Sequence, residues 1–244
     1  MQRSVEGRIL KVCVIRNVEF EGPGLIAAWV EQRGHELCEA LAPLGDYPMP
    51  DDIDLLVIMG GPMAADDEAT HPWLHAEKLF VAETIASGKR VLGVCLGAQI
   101  LSEVAGGVVS RSVHGEVGWF PLALTEAGRA DPVFSRIPDG LVAGHWHGDT
   151  FSVPPAAVLT ASSDGCANQG FSMLGGDVVG MQFHLEWTSD DIFNMVEQCA
   201  SDLGAGPFSM DAAQVLDGVE VHQDACREAL WGMLDAMAYR ATTD

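Results

Sequence analysis

Positive charge is scarce in this chain. Its 244 residues carry 13 Lys and Arg against 35 Asp and Glu, a formal net charge of −22. A surface of that sign repels phosphate backbones and anionic membranes, which argues against nucleic-acid binding or a membrane surface as the main business. The acidity reads as a solvated surface; adaptation to salt is the alternative it leaves open. Long apolar runs are missing too, and none approaches the roughly 18 residues that a membrane span needs. The first residues, Met1 to Arg8, lead into a short strand pattern broken by Arg16 and do not read as a signal peptide. Six cysteines stand far apart, with no Cys-x-x-Cys pair and no zinc-ligand spacing. That usage fits a reducing, cytoplasmic setting better than a disulfide framework. No Gly-Lys-Ser/Thr follows a glycine turn, and no Gly-x-Gly-x-x-Gly opens a helix after the first strand. Neither a phosphate loop nor a dinucleotide site is therefore supported.

What is present centres on Cys95. An apolar run, Arg90 to Val94, enters Gly93-Val94-Cys95-Leu96-Gly97, and a helix-like run from Ala98 leaves it. This is the thiol form of a nucleophile elbow, a sharp strand-to-helix turn that lifts one side chain to the top of a sheet. Side chains at Gly93 or Gly97 would crowd such a turn. The helix N-terminus beyond the cysteine favours negative charge there. The ordinary alternative is a buried structural cysteine among small neighbours.

A second motif lies downstream. Val178 to Phe183 read as a buried strand running into His184-Leu185-Glu186. Alternate residues of a strand share a face, so His184 and Glu186 are expected to lie close together. A nucleophile needs a base and the base needs an orienting partner; Cys95, His184 and Glu186 supply the three roles. Taken singly, His184 also fits a hydrogen-bonded core residue and Glu186 a solvated strand end. A third segment, Asp54 to Met59, reads as a buried strand ending in Gly60-Gly61-Pro62.

The elbow, the His-x-Glu motif and their order resemble the class I glutamine amidotransferases, in particular stand-alone relatives of the amidotransferase domain of GMP synthase. The resemblance covers roughly residues 8–200. It implies an α/β, three-layer flavodoxin-like fold, with a mostly parallel central sheet, helices on both faces and added antiparallel strands. It implies Cys95, His184 and Glu186 as catalytic residues, and an oxyanion hole from the backbone N–H of Gly60 or Gly61 together with Leu96. Gln99, one turn beyond the nucleophile, would line the glutamine pocket; its amide both donates and accepts. The segment around His114 would present main-chain groups to the substrate, with Glu116 offsetting an ammonium, Gly118 in the same stretch and Trp119 as a wall. His147 and Asp149, within Gly144 to Phe151, would shape the site, unless that segment is simply a polar turn. Its His-x-His-x-Asp spacing has the look of a metal hydrolase, but that pattern needs a histidine where Thr150 stands, so no metal is expected. No cofactor is implied.

The expected reaction is release of ammonia from the side-chain amide of glutamine through a γ-glutamyl thioester. Two alternatives remain: a stand-alone γ-glutamyl peptidase or hydrolase, and a non-catalytic regulatory subunit. Partners would be glutamine or a γ-glutamyl small molecule, a separate ammonia-accepting synthetase subunit, or a second copy in a homodimer.

Along the chain, strands are expected at Leu10–Ile15, Glu36–Ala40, Asp54–Met59 and Arg90–Val94, with helices at Gly24–Arg33 and His71–Ser87. That alternation implies a parallel sheet covered by helices. Beyond residue 105 short strand-like segments dominate: 107–112, 119–124, 156–162, 170–174 and 178–183. Helices follow at Ser189–Leu203, capped by Thr188 or Ser189, and at 221–240. The glycine-rich break at 204–207 divides an amidotransferase domain, 1–203, from a C-terminal helical extension, 204–244, packed on it.

Overall fold

A computed structural model of the chain describes residues 8–204 and 206–239. The N-terminal stretch weighed above as a leader and the end of the expected last helix lie largely or wholly outside the described residues.

The first half is a β-α-β succession: β1 (Lys11–Arg16), α1 (Leu25–Arg33), β2 (Glu36–Leu41), β3 (Leu55–Ile58), α2 (Trp73–Ala86), β4 (Arg90–Val94) and α3 (Leu96–Val104). The second half runs β5 (Val109–Pro121), β6 (Ala123–Leu124), α4 (Glu126–Ala130), β7 (Val142–Phe151), β8 (Val158–Ser162), β9 (Gly170–Met173), β10 (Val178–Met181), α5 (Ser189–Gln198) and α6 (Ala212–Ala238). Eight strands form one sheet in the order β2-β1-β3-β4-β10-β9-β8-β6. From β2 to β10 the pairings are parallel, and from β10 to β6 antiparallel. Strands β5 and β7 form a separate antiparallel ribbon, whose register shifts between Arg111 and Glu116.

Period-two alternation builds a core on each face of the sheet. Val12 and Val14 of β1, Leu55 and Val57 of β3, and Leu92 and Val94 of β4 face one core with α1, α5, α6 and the ribbon. Cys13, Ile15, Leu56, Ile58 and Val91 face the other, with α2 and α3. This is the three-layer α/β arrangement that the resemblance implies.

Several boundaries differ from expectation. The segment 144–151 is neither a turn nor a loop but most of β7. The expected strands at 107–112 and 119–124 are largely one strand, β5, followed by the two-residue β6. Strand β10 stops at Met181, and α5 ends at Gln198 before a short turn. Thr188 caps α5 in a full capping box with Asp191, and Asp211 caps α6 in another with Gln214. Helix α6 starts nine residues before the expected position and packs along α1: Trp29 Nε1 donates to Asp235 at 2.9 Å, and Trp231 Nε1 donates to the Leu25 carbonyl at 3.0 Å. No helix among the described residues is long and apolar enough to cross a membrane.

Candidate active site

Cys95 stands between β4 and α3 with φ 52° and ψ −107°, one of two non-glycine residues with positive φ among the described residues. A side chain in that region costs about 1 to 3 kcal/mol and persists only where its surroundings hold it. Here the Cys95 N–H donates to the Met181 carbonyl at 2.8 Å, and its carbonyl accepts from Ala98 and Gln99 at the start of α3. The two glycines are required by close approach. A Cβ on Gly93 would lie 2.5 Å from the Gly97 backbone, and one on Gly97 would strike the Ile58 carbonyl of β3. The elbow is thus wedged against its own sheet.

The thiol is buried at 6% exposure yet borders a cleft of about 460 Å³. Its sulfur lies 3.6 Å from the Trp146 carbonyl oxygen, and Gln182 Nε2 donates to it at 3.6 Å. Gln182 also accepts from Gln99 Nε2 at 3.2 Å. No motif marks Gln182 in the sequence. Its one signal is a polar residue directly after an apolar strand, and its partners lie more than eighty positions away.

His184 and Glu186 do meet, though not by strand alternation. Beyond β10 the chain bends, and His184 forms an isolated bridge with Gly144 of β7, its N–H donating at 2.7 Å and its carbonyl accepting at 3.1 Å. The bend lets His184 Nδ1–H donate to Glu186 Oε1 at 2.6 Å, while Glu186 Oε2 accepts from the Leu185 N–H at 3.0 Å. The opposite nitrogen, Nε2, is buried without a hydrogen-bond partner among the described residues. Burial disfavours a charged imidazole, but the neighbouring Glu186 carboxylate and the Cys95 sulfur outweigh it and hold the His184 pKa well above its ordinary value.

The Gly60-Gly61 turn closes another side. Asn17 Nδ2 donates to the Met59 carbonyl at 2.9 Å and fixes the turn. A Cβ on Gly61 would meet Met63 Sδ at 2.6 Å and Leu96 Cδ2 at 2.9 Å, so glycine brings this turn beside the start of α3. The first N–H groups of a helix lack intrahelical acceptors, which leaves that of Leu96 available to a ligand.

The cleft brings together Cys95, Leu96, Gly61, Gln99, His147 and His184. It does not include the other three residues expected around the substrate. Glu116 is fully buried, taken up by Ser163 Oγ at 2.7 Å, His147 Nε2 at 3.1 Å and Gln169. Burial alone would raise its pKa, but His147, His145 and Ser163 bring it below the usual value. Fully buried and away from the cleft lining, it anchors His147. Trp119 turns the other way: its Nε1 donates to the Val215 carbonyl at 2.9 Å, and its ring sits edge-on to Trp187. Gly118, at φ 129°, makes room for Met210. The cleft side of this strand is formed by Val113, His114, Gly115 and Val117. Asp149 lines the cleft and is salt-bridged to Arg111 at 3.2 Å.

Glu116, His145 and His147 also offer three potential metal-ligand atoms within 4.8 Å of one another. The carboxylate is bonded by Ser163, His147 and Gln169, whereas neither ring nitrogen of His145 has a hydrogen-bond partner among the described residues, and burial pushes the His145 pKa down to about 3.

Fold and cleft together define a three-layer α/β protein with a cysteine at a strand-to-helix elbow. The chain belongs to the glutamine amidotransferase class-I family, whose model matches residues 36–198. It is 28% identical over 233 residues to the glutamine amidotransferase-like protein YfeJ of Salmonella typhimurium, covering 93% of this chain and 97% of that one. It is 31% identical over 154 residues to one of the subunits of the glutamine-hydrolysing GMP synthase of Picrophilus torridus, covering 61% of this chain and 78% of that one. The crystal structure of a glutamine amidotransferase from Thermotoga maritima superposes with a TM-score of 0.86 at 28% identity, covering 96% of this chain and 100% of the other.

Proposed function

We propose that the chain is an amidase for the side-chain amide of glutamine or of a γ-glutamyl compound. The observation that carries this reading is the buried constellation at the elbow. A thiol faces an imidazole whose far nitrogen is held by a carboxylate at 2.6 Å, and all three groups are at least nine-tenths buried beside an open cleft.

In the proposed reaction the Cys95 thiol proton passes to His184 Nε2, and the sulfur attacks the carboxamide carbon. A C–S bond forms, and the carbonyl electron pair moves onto oxygen. That oxyanion is received by the N–H of Gly60 or Gly61 and of Leu96; one such donor is worth about 3 to 4 kcal/mol in the transition state. His184 returns its proton to the nitrogen as the C–N bond breaks, releasing ammonia or an amine and leaving a γ-glutamyl thioester. Water, deprotonated by His184, then cleaves the thioester to a carboxylic acid and restores the thiol. A raised His184 pKa suits a group that must hold a proton between these steps. Glu186 orients the ring and offsets its charge, and Gln99, tied to Gln182, lines the pocket.

The relatives favour a role with a partner in one case: the matched GMP synthase chain is named as a subunit of that enzyme. The partner class to test is accordingly a separate synthetase that accepts ammonia. The assay is ammonia release from glutamine and amine release from γ-glutamyl amides, with wild type and Cys95→Ser compared. Turnover lost in the variant, with an unchanged thermal melt, supports the reading; near wild-type turnover in Cys95→Ser overturns it.

A further inference from the structure

Glu21 has no part in those steps, yet its carboxylate belongs to the same cleft. It sits in the loop between β1 and α1, only 9% exposed. The hydrogen bond it makes uses its main-chain carbonyl, which accepts from Arg16 Nε at 3.2 Å. Among the described residues nothing donates to the carboxylate. An unpaired buried carboxylate is costly to maintain, and it lies here where a ligand can reach it.

Its position relative to the reaction is defined by the Gly60 turn. A Cβ on Gly60 would collide with Glu21 Oε2 and would stand 3.4 Å from His184 Cε1. The carboxylate and that edge of the imidazole therefore border the same small space. Cε1 is bonded to Nε2, the nitrogen that serves the leaving group. For the proton to transfer, the leaving nitrogen must come within hydrogen-bond reach of Nε2. The carboxylate consequently flanks the route by which the amine departs. Gly60, lacking a side chain, is what lets the acid approach so closely.

On the amidase reading above, we infer that Glu21 forms the leaving-amine subsite and selects γ-glutamyl amides whose amine portion carries a positive charge. The surroundings agree. The charged groups facing Glu21 are His184, Glu186 and Asp191, and Cys199 lies close by, so acid outnumbers base there. Burial pushes the Glu21 pKa up to about 7, lowered by His184 and raised further by Glu186 and Asp191. A carboxyl group poised in this way becomes fully charged when a cation arrives beside it.

The test uses two matched substrates: the γ-glutamyl amide of trimethylenediamine, and that of n-butylamine, which has a methyl group in place of the ammonium. Wild type is expected to favour the diamine amide about tenfold or more in kcat/KM, the range of one charge-assisted contact. Glu21→Gln is expected to bring the ratio close to one, and Glu21→Asp to keep part of it. A wild-type ratio near one, or a ratio unchanged in Glu21→Gln, overturns the inference while leaving the amidase reading in place. If wild type hydrolyses neither amide, ammonia release from glutamine decides the amidase reading, and calorimetric titration of trimethylenediamine into both proteins judges the subsite. Binding lost in Glu21→Gln supports it; no binding to wild type, or equal binding to both, overturns it.

Discussion

The imidazole of His184 lies flat on the indole of Trp187, with ring centroids 4.2 Å apart and planes 15° apart. The stack exists because Gly144 lacks a side chain: a Cβ there would run into the Trp187 ring. The same Gly144 pairs with the His184 backbone, so β7 holds both faces of the arrangement. Trp187 therefore fixes the plane in which His184 can reach Cys95 and Glu186. Trp187→Phe should keep the fold but lower kcat/KM by about tenfold to a hundredfold, the cost of a small misplacement of a reacting group. Trp187→Ala should in addition lose about 3 to 5 kcal/mol of stability. Urea unfolding beside steady-state kinetics separates the two effects.

Glu186 is expected to govern the charge of His184. Burial works against the imidazolium, and Glu186, followed by Cys95, overcomes it. A folded pKa above the unfolded value, about 6.5, contributes stability that is complete below that value and is lost as pH rises through the folded one. Glu186→Gln should bring the His184 titration down and start that loss at lower pH. It should also cut kcat by about 10²- to 10⁴-fold. Nitrogen NMR of the imidazole across the pH range reads the first effect directly.

Glu77 offers a test away from the cleft. It is fully buried on α2, neither carboxylate oxygen has a hydrogen-bond partner among the described residues, and burial pushes its pKa up to about 8 against the opposing effect of Lys78. The folded state then binds its proton more tightly than the unfolded state does, so stability falls as pH rises from about 4.5 to 8. Glu77→Gln should remove most of that slope. The variant should match wild type near pH 4 and exceed it by about 2 to 4 kcal/mol at pH 8, measured by urea denaturation.

The elbow should tolerate no added carbon at Gly97. Its Cβ would enter the Ile58 carbonyl, a backbone group that cannot rotate aside. Gly97→Ala should destabilise the fold by about 2 to 4 kcal/mol and displace Cys95, whereas Gly88→Ala, with open space around its Cβ, should cost only its positive-φ strain, about 1 kcal/mol. Chemical denaturation of the two variants gives the comparison.

The parallel half of the fold was legible because buried strands leave plain apolar runs: Arg90–Val94 is β4 as expected from sequence. Strand β7 was hidden because it buries His145 and His147, so polar residues fall where periodicity expects apolar ones. The start of α6 was hidden for another reason. Gly218 interrupts a good helical sequence, but it is there to receive the Trp119 ring. In the site, local motifs marked the elbow and His-x-Glu. Gln182 and Glu21 were not visible, since each gains meaning only from partners that folding brings near. Trp119 and Glu116 were visible but faced the other way, because β5 turns those positions toward α6 and the buried histidines.

The central claim is that Cys95, activated beside His184, is the nucleophile for a γ-glutamyl carbonyl. Its most direct test is labelling with an electrophilic glutamine analogue, read by intact mass and peptide mapping. The account predicts one adduct, on Cys95, formed at least a hundredfold more slowly in His184→Ala, on the order of the contribution of a general base. No adduct on Cys95, or labelling spread over Cys38 and Cys199 at equal rates, would contradict it.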